Sequence, residues 1–82
     1  MEEPQYARMW KGQDLPWSVA ATMANARWAT DLTQADLAER MGTTQSVVAR
    51  MENGRHLSSL RSIERYAKAL GLGVEVKLVP AG

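Results

Sequence analysis

The sequence predicts an all-α fold, a bundle of four to five short helices followed by one C-terminal β-strand that pairs in a dimer. Three observations carry that expectation. Apolar residues recur at three- and four-residue intervals in four separate stretches, as one helix face turned to a core requires. Each stretch opens on serine or threonine, and three of them close on glycine, the residue types that satisfy or terminate helix ends. After Gly71 the period changes from helical to alternating.

Residues 1–17 are polar with scattered aromatics and are broken by Gly12 and Pro16, which reads as an N-terminal arm holding at most a short helical turn. The domain itself is expected over residues 18–71, with the strand and tail over 72–82. Ser18 suits the N-cap of a first helix that carries Val19, Met23 and Ala26 on one stripe and ends near Thr30. Thr33 then caps a second helix, with Asp36 three positions on in a variant of the capping box. Its stripe is Leu37, Ala38 and Met41. Gly42 stops it, and Thr43-Thr44 at once supply the cap of a third helix that runs from Gln45 to about Glu52, ended by Asn53-Gly54. Ser58 or Ser59 caps a fourth, with Leu60, Ile63, Ala67 and Leu70 as its apolar face and Gly71 as its terminator.

In residues 73–80 apolar and charged side chains alternate. Val74, Val76 and Leu78 take one face, Glu75 and Lys77 the other, and Pro80 closes the run. A single strand cannot satisfy its own backbone. Pairing with its own copy about a two-fold axis is the simplest solution; a tail lying on the helices is the alternative.

Composition narrows the function classes. A chain of 82 residues has room for one domain, burying only about 60% of the surface that its unfolded form exposes. No cysteine is present, so neither a disulfide framework nor a thiolate metal site can be drawn, and the reducing cytoplasm is the expected compartment. Dimerisation is the expected compensation for small size. The sequence carries neither a signal-like N-terminus nor an apolar run long enough for a membrane span. One histidine, no acidic pair beside a base and no glycine-rich phosphate loop argue against an enzyme, a cofactor or a metal centre. The formal charge is only +1, yet Arg50, Arg55, His56, Arg61, Arg65 and Lys68 all fall in the second half, giving it a basic surface.

Two short helices joined by a tight glycine turn form a helix-turn-helix unit, in which the first braces the second. At about 100° per residue, Gln45, Ser46, Ala49 and Arg50 span one arc of the third helix, and Val47, Val48 and Met51 span the opposite one. The first arc offers an amide that matches adenine, a guanidinium that matches guanine, a hydroxyl and a methyl. By itself such a face also fits any solvated helix.

The stretch from Leu32 to Gly54, with Leu-x-Gln, Leu-Ala, the turn glycine, Thr-Gln-Ser and Met-Glu-Asn-Gly at fixed spacing, resembles the Cro/C1 class of phage-repressor and Xre-type helix-turn-helix domains. With its flanking helices the similarity spans about residues 18–71 and implies a lambda-repressor-like fold that binds double-stranded DNA at an inverted-repeat operator. It implies base-reading roles for Gln45, Ser46, Ala49 and Arg50, with Val47 as a further apolar contact. Backbone contacts are implied for Gln34, Thr44, Asn53 and Arg55, and a structural ion pair for Arg27 and Glu52. The sequence departs from the family where Asp31 stands at a frequent glycine, where Trp28 replaces a polar residue, and where the strand replaces a fifth helix.

The Leu-Gly followed by Val-Glu-Val-Lys-Leu-Val is similar to HigA-like antitoxins, which bind an RNase toxin and repress their own operon. On that resemblance Tyr6, Met9, Trp10 and Trp17 form a toxin-contacting surface; otherwise they cover the core. The sequence expectation is therefore an autoregulating repressor and antitoxin. The alternatives are a stand-alone phage-type repressor and a protein-interaction module that keeps the helix-turn-helix as scaffold.

Overall fold

The computed structural model describes residues 15–80, which form four helices: α1 Leu15–Ala29, α2 Gln34–Met41, α3 Gln45–Met51 and α4 Leu60–Ala69. Residues 15–17 are already helical, so Ser18 is a buried residue within α1 and not its N-cap. Trp17 consequently belongs to α1. Tyr6, Met9 and Trp10 lie outside the described residues.

The ends of the remaining helices follow from local chemistry. Thr33 and Asp36 form a complete capping box: Asp36 N–H donates to Thr33 Oγ1 at 3.0 Å, and Thr33 N–H to Asp36 Oδ2 at 3.1 Å. Those bonds, backbone first and hydroxyl second, hold the Asp36 carboxyl below its ordinary range. At the other end Gly42 N–H donates to Glu39 O at 3.1 Å and Thr43 N–H to Ala38 O at 2.9 Å. This exit turns the chain by placing Gly42 at φ +72°, a left-handed conformation that costs a side chain roughly 1–2 kcal/mol. Helix α4 leaves in the same way, with Leu72 N–H on Ala67 O at 2.8 Å. Thr44 and Ser59 are the N-caps of α3 and α4.

Met23, Leu37, Ala38, Val48, Met51, Tyr66 and Leu70 make the core, with Val19, Ala26, Leu32, Met41, Ile63 and Ala69 packed around it. Two positions on α4 differ from the expected stripe. Leu60 is exposed, and Tyr66, absent from that stripe, is almost fully buried. Helix α2 packs against both α3 and α4. Two arginines tie α2 to α4 reciprocally: Arg40 Nη1 donates to Ala69 O at 3.3 Å, and Arg65 Nη2 to Met41 O at 2.9 Å. Each guanidinium thus meets the carbonyl end of the other helix, where positive charge is favoured. Arg65 accordingly serves the fold as well as the basic surface.

Residues 72–80 form no strand, which corrects the expectation for Val74, Val76 and Leu78. A strand is defined by its ladder, and a single chain has no second segment of that kind to pair with. Among the described residues, no helix is long and apolar enough to cross a membrane.

Candidate nucleic-acid interface

Helix α3 is only two turns long, and two residues spaced three apart, Val48 and Met51, suffice to seat it on the core. Thr44 Oγ1 accepts Val47 N–H at 3.3 Å and fixes where the helix begins. Gln45, Ser46 and Arg50 are exposed and Ala49 is half-buried, so the four residues expected to read bases share one accessible face. Val47 does not pack with Val48 and Met51 as the helical wheel implied. It is 36% exposed, because the seam is filled without it. As a rim residue it adds an apolar contact point beside Ser46.

Immediately after this helix the chain is locked by a buried carboxylate. Glu52 Oε2 accepts Arg27 Nε at 2.8 Å, and Oε1 accepts Arg27 Nη2 at 2.9 Å. The same carboxylate accepts Tyr66 Oη at 2.5 Å and Gln34 Nε2 at 3.0 Å. Arg27 Nη1 donates onward to Leu32 O at 2.8 Å, and Tyr66 Oη lies 2.7 Å from Met23 O. The Arg27 guanidinium also sits 5.8 Å from the exposed Trp28 ring centre, within cation–π range. Burial alone would push the Glu52 carboxyl up, but the bonds from Arg27, Tyr66 and Gln34 outweigh it and hold the group below its ordinary range. Among the described residues no buried side-chain polar atom lacks a partner. Such a network is costly when broken and gives one defined geometry when complete. It joins α1, α2 and α4 to the end of α3.

The two helices joined at Gly42, with that exposed face on the second, are what a match to a family model then decides. The model described as a helix-turn-helix domain matches residues 18–78. The chain belongs to the helix-turn-helix domain family. A curated relative, an uncharacterized HTH-type transcriptional regulator of Methanothermobacter thermautotrophicus, is 48% identical over 40 residues, which cover 49% of this chain. The chain matches 58% of the length of that relative.

Within the helix-turn-helix domain, the expected backbone contacts divide. Thr44, Asn53 and Arg55 are exposed around the ends of α3. Asn53 Oδ1 accepts Arg55 N–H at 2.8 Å, which closes the turn and leaves its Nδ2 as the group suited to an acceptor such as a phosphate oxygen. Gln34 is half-buried and spends one amide hydrogen inward on Glu52, so any outward contact uses its remaining hydrogen. The expected Arg27–Glu52 pair is present. Sequence reasoning missed Tyr66 as a member of that network; its place three residues after Ile63 and four before Leu70 put it on the apolar face and was the available signal. It also missed Trp17 over Gly54. A Cβ on Gly54 would lie 3.0 Å from Trp17 Cδ1 and 3.1 Å from its Cα, so helix α1 presses on the loop that follows α3. Among the described residues no group of three His, Cys, Asp or Glu side chains could hold a metal.

Proposed function

We propose that this helix-turn-helix protein is a sequence-specific transcriptional repressor of the cytoplasm, without catalytic activity, that places α3 in the major groove of double-stranded DNA. One observation carries the reading: Gln45, Ser46, Ala49 and Arg50 share an accessible face on a helix whose far end is fixed by the Glu52 network. A rigid mount matters because bidentate base contacts demand placement as well as chemistry. Arg50 reads guanine, Gln45 reads adenine, Ser46 assists, and Ala49 or Val47 meets a thymine methyl. Thr44, Asn53, Arg55 and the outward side of Gln34 hold phosphates and set the register.

The finer reading is a homodimer on an inverted repeat with half-sites one helical turn apart or a multiple of it. Its biological role is that of an autoregulating antitoxin whose aromatic residues, the half-exposed Trp17 among them, meet an RNase toxin. The similarity of the C-terminal sequence to HigA-like antitoxins supports this. Footprinting the purified protein on its own upstream region, at low and moderate ionic strength, tests the DNA reading. A dimer neutralising about six to ten phosphates loses roughly 10³–10⁵ in affinity between 50 and 200 mM salt. An intact fold with no footprint on any genomic fragment would refute it.

A further inference from the structure

An open apolar groove of about 730 Å³ lies between α1, α4 and the C-terminal segment, bordered by Leu15, Val19, Leu60, Ile63, Val74 and Val76. No residue of α2 or α3 lines it, so whatever covers it leaves the base-reading face accessible. The C-terminal segment at its edge is exposed throughout, and among the described residues no backbone hydrogen bond involves residues 73–80. Leu78 is 96% exposed and Val76 62%. An unpaired backbone beside exposed alternating apolar side chains is a template for another strand.

The order of charges selects both the partner and the register. In an antiparallel pair about a two-fold axis, residues facing each other have numbers with a constant sum. Centring the axis between two residues leaves Glu75 and Lys77 each opposite an uncharged residue. Centring it on Glu75 sets Glu75 against its own copy, and centring it on Lys77 sets lysine against lysine. Only the axis through Val76 faces Glu75 with the partner's Lys77, and Lys77 with the partner's Glu75. In the same register Leu78 faces the partner's Val74, a groove-lining residue, so the most exposed leucine is delivered to the mouth of the partner's groove.

We infer that the groove and residues 73–79 form a self-complementary interface for a second copy of this chain, paired antiparallel with the two-fold axis at Val76. This rests on the homodimer reading above and deepens it by fixing the register. Pairing supplies the ladder that one chain lacks, buries Val74, Val76 and Leu78, and caps the apolar groove.

Because the chain has no cysteine, single-cysteine variants of the full protein report the register directly. Under mild oxidation Val76→Cys becomes a species of doubled mass. Val74→Cys and Leu78→Cys each remain single chains alone, but form a doubled species when mixed. Glu75→Lys and Lys77→Glu each weaken self-association at least severalfold by sedimentation, and the double exchange restores it. A dimer in which Val76→Cys fails to cross-link, or in which the charge exchange has no effect, overturns the inference. A protein that is monomeric at every concentration overturns the dimer as well. Gel shifts on the reduced variants keep these outcomes distinct from the DNA reading, since DNA binding with the wrong cross-linking pattern sinks only the interface.

Discussion

Arg27 and Glu52 meet in a two-point ion pair, Nε on Oε2 at 2.8 Å and Nη2 on Oε1 at 2.9 Å, across 25 residues of chain. Their side chains are 8% and 4% exposed, which removes most solvent screening. Because Glu52 is the residue at which α3 ends, the pair sets where α3 stands relative to α1.

Glu52→Ala should destabilise the fold by about 3–5 kcal/mol, since it leaves Arg27 buried and uncompensated. A double replacement of Arg27 and Glu52 by methionine should cost less than either single change. Tyr66→Phe should cost about 1–2 kcal/mol by removing the hydroxyl shared with Glu52 and Met23 O. Denaturant titrations of these variants beside the parent protein check the order; a double variant less stable than either methionine single contradicts it.

Stability should fall on both sides of neutrality, for separate reasons. Glu52 is held below its ordinary pKa of 4.5 in the fold, so it contributes stability above that value and loses it as pH falls through the lower folded pKa. Tyr66 is pushed well above its ordinary 10, by burial and then by the Glu52 carboxylate, so stability declines as pH rises past 10. Urea midpoints from pH 3 to 11 should show both limbs. Tyr66→Phe should flatten the alkaline one and Glu52→Gln the acid one.

Asp31 has φ +61° where α1 ends, a left-handed conformation that aspartate tolerates better than most side chains but glycine adopts without penalty. Asp31→Gly should stabilise the protein by about 0.5–1 kcal/mol, the conformational gain offset in part by the freer unfolded chain. Differential scanning calorimetry would show a Tm raised by a few degrees. A lowered Tm contradicts the reading.

The two glycines that flank α3 should respond differently to alanine. At Gly42 a Cβ meets nothing within 4 Å, leaving only the backbone penalty of roughly 1–2 kcal/mol. At Gly54 it also meets the Trp17 Cα, which cannot swing aside, adding about 1–3 kcal/mol. Trp17→Ala should relieve Gly54→Ala only in part, as chemical denaturation of the double variant will show.

Most of the helical frame was legible because its signals are local. The Thr33–Asp36 box, the Gly42 exit and the Thr44 and Ser59 caps each depend on residues within a few positions of one another. What escaped depends on distant partners. Tyr66 finds acceptors 14 and 43 residues away, and Trp17 meets Gly54 across the fold. Residues 72–80 carry a strand pattern whose ladder requires a partner, so period alone could not give it strand structure within one chain. The exposed face of α3 was visible from helical spacing, while Val47 was misplaced because a two-turn helix fills its seam with two residues.

Binding of the protein and its Arg50→Ala variant to an operator and all its single-base variants tests the DNA reading most directly. The variant should lose about 1–3 kcal/mol of discrimination at one guanine per half-site and keep its preference elsewhere. Equal losses on every duplex would show that the exposed face of α3 does not read bases.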